Sequence, residues 1–246
     1  MTELHVLRVF MGADGRGGNP LGVFLDGPAI EAARRQAVAA ELGYSETVWV
    51  DEVDIDRGVA AIRIFTPGVE MPFAGHPTVG TSWLLRERGR GVGVLRVPAG
   101  DVATWEEGDL TWIRARAEWG AGLLEPRQFP SAAAIDALQP GRLGDPGLYA
   151  WAWQDEAAGH IRVRFFPTHL GIVEDEATGL GAVIMGDLVG RPLVIRQGIG
   201  SELYTRPDPS SGFVDVGGRV ELTAVRDFVA RGAPSQAASA APTNPS

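Results

Sequence analysis

The 246-residue sequence predicts an α+β protein built from two similar domains, and three observations support this prediction. Alternating apolar stretches between glycine- and proline-rich turns predict many short strands. Two helices made mainly of small and apolar residues are predicted, one in each half of the chain. A strand, a proline, a loop and an apolar helix follow one another in that order twice. The two helix starts lie about a hundred residues apart, a period that indicates a duplicated domain.

Strands in the first half are predicted where apolar residues alternate, over 4–10, 21–25, 47–50 and 59–65. A glycine-rich turn at 12–20 separates the first two strands. The apolar residues of 29–42 recur at helical spacing and Gly43 stands where a glycine ends a helix, so this segment is predicted to be helical. A second helix is predicted over 74–85, with Pro77 near its start. It has no polar face, which is typical of a helix buried inside its domain.

The second half repeats this plan. Residues 161–166 alternate as a strand, as 61–65 do, and each strand leads through a proline and a loop to an apolar helix. In the second half the helix is predicted over 180–189, after the acidic segment 174–179. Several short strands are predicted over 91–119. Two unrelated strand–loop–helix units are the alternative to a duplication.

We therefore divide the chain into a first domain over 1–118 and a second domain over 119–232. Residues 130–145, which are rich in Ala, Pro and Gly, would lie early in the second domain. Residues 233–246 are small and polar and contain proline, so they are predicted to form a disordered tail.

The charge balance limits the partners of the protein. The sequence has 22 Lys and Arg against 31 Asp and Glu, a formal net charge of −9. A surface this acidic repels phosphate backbones and anionic lipids, so neither a nucleic-acid partner nor a membrane partner is expected. The first ten residues lack a basic segment followed by an apolar run. No apolar stretch approaches the roughly 18–20 residues of a membrane span, and we expect a soluble, cytoplasmic protein.

Composition and motifs also argue against several chemistries. The sequence has no cysteine, which rules out disulfides, thiolate metal sites and cysteine nucleophiles. The glycines at 89, 91 and 93 lead into a predicted strand, whereas a dinucleotide-binding loop needs a helix there. No Gly-x-Ser-x-Gly motif occurs. The four histidines show no metal-ligating spacing, so no metal site is predicted.

Proton transfer at helix N-termini is the chemistry that the sequence supports best. Unpaired backbone N–H groups and the positive end of the helix dipole favour a carboxylate at such a position. Two buried helices facing each other would hold an anionic substrate, and each would bring a titratable residue, His76 or Asp175. Histidine titrates near neutrality and burial raises the pKa of a carboxyl, so both are candidate acids or bases. Glu46, between a predicted helix and a predicted strand, is the third candidate.

Each candidate also has a purely structural interpretation. His76, between a glycine and a proline, is suited to capping its helix. Asp175 stands between two glutamates, and acidic residues before a helix are often surface charges that complement the dipole. Glu46 beside a strand is suited to a solvated position. The residues alone leave these alternatives open.

Six motifs occur in the order in which they occur in one known family: Gly18-Asn-Pro20, Tyr44-Ser-Glu-Thr47, Phe73-Ala-Gly-His-Pro-Thr-Val-Gly80, Glu174-Asp-Glu-Ala-Thr-Gly179, Gln197-Gly198 and Val216-Gly-Gly218. On these motifs the chain resembles the PhzF-like isomerases of phenazine biosynthesis, from Leu4 to about Val229. The resemblance implies the diaminopimelate-epimerase fold. In that fold two similar α+β domains each wrap a curled, barrel-like mixed β-sheet around a central apolar helix, and the active site lies between them. The resemblance also implies a homodimer.

The resemblance implies a catalytic role for each of the three candidates. Glu46 matches the glutamate that shuttles a proton between carbons of a cyclohexadienyl amino acid, and His76 and Asp175 match the other catalytic positions. Racemisation by two thiols is excluded because the chain has no cysteine. One carboxylate can take up and return a proton on the same face of a clamped substrate, so no metal or organic cofactor is expected. The substrate-binding positions implied are Asn19, Ser45, Gly75, Pro77, Thr178, Gly179 and Leu180.

The sequence departs from the family pattern at three places. Glu176 stands where the family usually has proline and adds a negative charge beside Asp175. Leu180 stands where the family usually has a serine that helps to hold the substrate carboxylate. Residues 199–203 replace the usual Met-Gly-Arg-Pro-Ser.

These features lead to one main functional hypothesis and two alternatives. The main hypothesis is a cofactor-independent isomerase of a small cyclic or amino-acid carboxylate, in which the backbone amides of Gly75 and Gly179 bind the anionic oxygens. A non-catalytic small-molecule-binding protein that has kept the scaffold is the first alternative, and Leu180 motivates it. A racemase with non-thiol bases is the second. It would need Glu46 and either His76 or Asp175 on opposite faces of one carbon.

Overall fold

The computed structural model describes residues 2–142 and 144–229, and the predicted tail over 233–246 lies outside them. The strands are β1 Thr2–Met11, β2 Gly17–Phe24, β3 Glu46–Asp54, β4 Val59–Phe65, β5 Glu70–Met71, β6 Val94–Val97, β7 Gly100–Glu107, β8 Leu110–Arg116, β9 Pro126–Gln128, β10 Leu148–Asp155, β11 His160–Phe166, β12 Leu193–Gln197, β13 Ser201–Asp208 and β14 Phe213–Phe228. The α-helices are α1 Ala32–Leu42, α2 Gly75–Glu87, α3 Ala132–Asp136 and α4 Gly179–Val189.

The predicted α+β class is confirmed, and the strands form one curled sheet of 14 strands. In the first half the strands follow the order β1-β2-β3-β4-β6-β7-β8-β14, and β14 pairs back onto β1. This pairing closes the strands into a ring. The helix α2 lies inside the ring and is buried at every position from Gly75 to Ser82. Its small and apolar residues, with no polar face, suit this position.

The second half continues the same sheet from β14 through β13, β12, β11 and β10 to β9. The helix α4 packs against β13, β14 and the 3₁₀ turn Ala117–Gly120. The short helix α3 packs against β10 and β11, where Ile135 forms a small separate core with Ala150 and Ala152. Both apolar helices predicted from the sequence thus pack against the curled sheet, α2 inside the ring of the first half and α4 against β13 and β14.

The long strand β14 joins the two halves. Residues 213–218 pair with β8, and 213–217 of them also pair with β13 on the other side. Residues 219–228 instead pair with β1. The last described strand thus lies in both halves, and the division of the chain at residues 118 and 119 stays a prediction.

The predicted elements match the observed elements closely in several places. The strand predicted over 59–65 is β4, and the helix predicted over 180–189 is α4. The helix predicted over 29–42 begins later, at Ala32, because Gly27–Ala29 forms a separate 3₁₀ turn that contains Pro28. Among the described residues, no helix is both long and apolar enough to span a bilayer.

Candidate active site

The first candidate, Glu46, opens strand β3 beside β2. The chain reaches it from α1 through Gly43, whose φ of 69° is in the left-handed region that glycine favours. The Glu46 side chain is 18% exposed, and its buried Oε2 has no hydrogen-bond partner among the described residues. Burial raises the pKa of Glu46 to about 7, while a hydrogen bond with Ser45 acts in the opposite direction. The carboxyl can therefore change its protonation state near neutral pH.

The second candidate, His76, is the second residue of α2 and faces Glu46. Its Nδ1 lies 3.4 Å from Oε2 of Glu46, and its side chain is only 4% exposed. Burial lowers the pKa of His76 to about 4, although Asp175 and the backbone of Pro20 favour the charged form. The sequence predicts that His76 titrates near neutrality, as a solvated imidazole does. In the structure the imidazole is uncharged at pH 7, because desolvation penalises its cationic form.

The third candidate, Asp175, is held by a strand contact and by two side chains. Its backbone N–H donates to the carbonyl oxygen of Phe165 at 2.9 Å. Its Oδ1 accepts from Nδ2 of Asn19 at 2.8 Å, and its Oδ2 accepts from the hydroxyl of Thr178. Burial and the negative charge of Glu46 raise the pKa of Asp175 to about 6. Asp175 is thus a fixed carboxylate that is mostly ionised at pH 7.

The N-termini of α2 and α4 touch each other through two glycines. A Cβ placed on Gly75 would lie 2.8 Å from the Cα of Gly179, and one placed on Gly179 would lie 2.7 Å from the backbone nitrogen of His76. Neither cap residue, Ala74 nor Thr178, caps its helix with a side-chain hydrogen bond. Because their first amides are uncapped, the two helices bring N–H groups and positive dipole ends together beside the carboxylates.

The remaining predicted binding residues differ in what they contact. Asn19 is 4% exposed and links Asp175 to Ser45, whose hydroxyl donates to its Oδ1 at 3.3 Å. Pro77 is buried in the first turn of α2 and has no N–H to offer a ligand. The Leu180 side chain lies against the 3₁₀ turn Ala117–Gly120, because a Cβ added to Gly120 would be 3.2 Å from Leu180 Cδ1.

Two further residues belong to the site although sequence reasoning did not select them. Gln197, fully buried, donates from Nε2 to the Asp175 carbonyl at 2.9 Å and to the Thr178 hydroxyl at 2.8 Å. The Gln197-Gly198 motif was the sequence feature that could have identified Gln197 as a site residue.

Tyr149 is 1% exposed, and its hydroxyl has no partner among the described residues. Burial and the charge of Asp175 raise its pKa. Its place in an apolar run gave no signal.

No group of three or more His, Asp or Glu side chains is arranged to hold a metal ion within the described part of the chain. The three candidates form a cluster of titratable groups at two helix N-termini, since Glu46 lies 3.4 Å from His76 and both influence the pKa of Asp175. One carboxyl titrates at neutral pH, one carboxylate is fixed by hydrogen bonds and one imidazole is neutral. Such a cluster is suited to proton transfer on a bound anion.

The raised pKa of Glu46 predicts a stability effect of Glu46→Gln that depends on pH. Between the ordinary value of 4.5 and about 7, the folded protein keeps a proton that the unfolded chain has lost. Ionisation of Glu46 therefore lowers the free energy of unfolding as the pH rises. In Glu46→Gln the side chain does not ionise, so this decrease in the free energy of unfolding is absent. We expect its stability relative to the parent to increase by roughly 2–3 kcal/mol from pH 5 to pH 8, measured by urea unfolding.

Asp175 is present in both proteins, but its pKa is raised in part by the charge of Glu46. In Glu46→Gln the pKa of Asp175 should fall, which adds to the difference in the same direction. Glu52→Gln, at an exposed position of the same strand, is the matched control and should show no such trend. A difference between Glu46→Gln and the parent that is the same at both pH values would contradict the raised pKa.

Comparisons with known proteins agree with this fold. The family model described as phenazine biosynthesis-like protein matches residues 9–139. A trans-2,3-dihydro-3-hydroxyanthranilate isomerase of Pseudomonas aeruginosa is 34% identical over 206 residues, which cover 67% of this chain and 72% of that protein. An uncharacterized isomerase of Mesorhizobium japonicum is 47% identical over 89 residues. This alignment covers 35% of the chain and only 30% of the relative.

Two solved structures share the whole fold. A phenazine biosynthesis protein of the PhzF family from Bacillus anthracis superposes with a TM-score of 0.73 at 20% identity, covering 93% of this chain and 99% of that one. A predicted epimerase from Pseudomonas aeruginosa superposes with a TM-score of 0.70 at 25% identity, covering 94% of this chain and 100% of that one. The architecture is thus common to proteins named for phenazine biosynthesis and for epimerisation.

Proposed function

We propose, on the premise that the chain belongs to the phenazine biosynthesis-like protein family, that it is a cofactor-independent isomerase. The reaction is the movement of a proton between two carbons of a small cyclic or amino-acid carboxylate. Glu46 takes the proton from one carbon and returns it to the other. His76 and Asp175 assist, and the amides at Gly75 and Gly179 bind anionic oxygen of the substrate.

The observation that carries this proposal is the state of the Glu46 carboxyl. Its pKa, raised by burial to about 7, allows it both to accept and to donate a proton near neutral pH, as a single shuttle group must. Its buried Oε2 accepts no hydrogen bond from the described residues, so no donor holds the carboxyl in its ionised form. A carboxylate that was only structural would be expected to use both oxygens in hydrogen bonds.

The neighbouring groups fit complementary roles. The neutral imidazole of His76, 3.4 Å from Glu46, can exchange a hydrogen bond with that carboxyl without fixing its charge. The carboxylate of Asp175 is negative at neutral pH and favours a cationic group of the substrate, such as the ammonium of an amino acid. The paired helix N-termini favour the substrate carboxylate.

Proton exchange with solvent tests the proposal directly. The first compound is trans-2,3-dihydro-3-hydroxyanthranilate, which the names of three relatives give as the substrate of those proteins. A panel of small cyclic and amino-acid carboxylates follows. In deuterium oxide we expect one carbon-bound proton signal of a substrate to disappear in the ¹H NMR spectrum. No exchange with any of these compounds would contradict the isomerase proposal.

A second candidate, a binding protein without turnover, is favoured by one observation, the apolar side chain of Leu180 at the start of α4. Leu180→Ser adds a hydroxyl beside the paired helix N-termini. We expect it to tighten the binding of a cyclic amino-acid carboxylate by roughly tenfold, the effect of one hydrogen bond to a charged group, measured by titration calorimetry.

The control is Leu188→Ser on the same helix, at a position 59% exposed, which should leave binding unchanged. Tighter binding in Leu180→Ser with no proton exchange in either protein would favour the binding protein over the isomerase. Exchange in the parent would favour the isomerase. The homodimer implied by the resemblance is part of the proposal, and light scattering of the purified protein tests it.

A further inference from the structure

Glu176 directly follows Asp175 in sequence, but its side chain makes contacts away from the cluster of titratable groups. Both of its carboxylate oxygens accept from the backbone N–H of Ile199, at 3.1 and 2.9 Å. Its Oε1 also accepts from the hydroxyl of Ser201 at 2.8 Å. The glutamate and the segment 199–203, which were two separate departures in the sequence, are therefore in contact with each other.

The contact continues from Ser201 into the first half of the molecule. The Ser201 oxygen accepts from the backbone N–H of Gly18 at 2.8 Å. The next residue, Asn19, donates to Oδ1 of Asp175 at 2.8 Å and to the carbonyl of Ala177 at 2.9 Å. Asp175, Glu176, Ser201, Gly18 and Asn19 thus form a closed circuit of covalent and hydrogen bonds, which we call the Glu176 circuit.

The Glu176 circuit is tightly fitted, and its Ser201 and Asn19 side is shielded from water while the Glu176 side chain is half-buried. Ser201 is fully buried and Asn19 is 4% exposed. At Gly198, whose φ is 58°, an added Cβ would lie 2.0 Å from Oε2 of Glu176. The carboxylate therefore lies directly against the backbone of this turn. Hydrogen bonds to a carboxylate are about twice as strong as neutral ones, so Glu176 fixes both the turn and the Ser201 hydroxyl.

We propose that Glu176 is a positioning residue that holds Asn19 against Asp175 through Ser201 and Gly18. The inference rests on the proposed function, because Asp175 has a catalytic role only if the protein is an isomerase. The carboxylate orients the Ser201 hydroxyl hydrogen toward itself, which leaves the oxygen lone pairs for the Gly18 N–H. The strand start at Gly18 is thereby fixed, and the amide of Asn19 is fixed with it.

The direction of change in the Asp175 titration distinguishes positioning from simple charge. If Glu176 acted only as a nearby negative charge, removing the charge would lower the pKa of Asp175. If it positions Asn19, removing it weakens a hydrogen bond to the carboxylate and raises that pKa. Ser201→Ala breaks the circuit without changing any charge, so it isolates the positioning effect.

The experiment follows the side-chain carboxyl signals of the full-length protein, labelled with ¹³C at aspartate, from pH 3 to pH 9. The Asp175 signal is assigned by its loss in Asp175→Asn. We expect the pKa of Asp175 to rise by roughly half a unit to one unit in Ser201→Ala. The rise should be smaller in Glu176→Gln, because the loss of a nearby negative charge acts in the opposite direction. An unchanged or lowered pKa in Ser201→Ala would overturn the proposal, since that variant keeps the charge of Glu176.

The matched control is Glu174→Gln, on the other side of Asp175. Glu174 forms a bidentate ion pair with Arg164, at 2.8 and 2.7 Å, and lies outside the Glu176 circuit. Its loss should not raise the pKa of Asp175, and a rise equal to that in Ser201→Ala would contradict the proposal. The titration needs no substrate. Failure of the proposed isomerisation would appear as absent proton exchange, so the two failures are distinguishable.

Discussion

Glu46→Gln is expected to reduce substrate proton exchange by about 10²- to 10⁴-fold, the range contributed by a general acid–base group. The amide keeps the shape of the side chain but cannot accept a proton from carbon. Binding of the substrate should change little, because the helix N-termini and Asp175 are intact. The rate of deuterium incorporation, followed by NMR at pH 7, and the dissociation constant, from calorimetry, measure the two effects separately.

Glu52→Gln is the control, because Glu52 lies on the same strand with its side chain exposed. It should exchange at the parent rate. The rate in the parent should rise with pH through about 7, where Glu46 becomes ionised. Undiminished exchange in Glu46→Gln would remove Glu46 from the role of shuttle.

Gly75→Ala and Gly179→Ala are each expected to destabilise the protein by about 1–3 kcal/mol, the usual cost of overpacking. The new methyl groups would lie 2.8 and 2.7 Å from backbone atoms. Backbone atoms cannot relieve such a clash by changing rotamer, as a flexible side chain can. Either substitution has to push α2 and α4 apart. Alanine is otherwise the better helix former by up to about 1 kcal/mol, so a net loss identifies the steric contact. Urea unfolding measures it.

Gly93→Ala is the matched control for these two variants. A Cβ at Gly93 would meet nothing within 4 Å, and its φ is not in the left-handed region. We expect it to be within about 0.5 kcal/mol of the parent. Parent-like stability in both Gly75→Ala and Gly179→Ala would show that the helix ends are not in close contact in solution.

Most strands and helices of the first half could be predicted from sequence, whereas strands β12, β13 and β14 were not predicted. The pairings that close the fold could not be predicted either. The apolar helices α2 and α4 show helical spacing without a polar face, which identified them. Strand β10 was missed because it is buried on both sides. Its Tyr149 lies in the main core, and the adjacent Ala150 packs with Ile135 of α3. Such a strand has no alternation to detect. The pairing of β1 with β14 joins residues more than two hundred positions apart and leaves no local pattern.

In the candidate site, too, local features could be predicted from the sequence, whereas features that depend on the tertiary fold could not. The spacing of residues at two predicted helix starts selected His76 and Asp175, and the structure places both at the paired N-termini. The neutrality of His76 depends on burial, which spacing does not report. Glu176 was interpreted as a charge added beside Asp175, whereas its carboxylate binds Ile199 and Ser201. The Glu176 side chain points toward the 198–200 turn because the tertiary fold brings that turn close to it. The residues next to Glu176 in sequence do not indicate this.

The strand that closes the first half is the last one described in the chain. During synthesis on the ribosome, β1 and the helix α2 are made long before residues 219–228 emerge to pair with β1. Until then one edge of β1 in the nascent chain is unpaired, and the apolar helix α2 is not covered by β14. The amino-terminal half therefore cannot finish folding ahead of the rest. Because residues 213–217 of the same strand pair with both β8 and β13, each half lacks part of its sheet until β14 has been made.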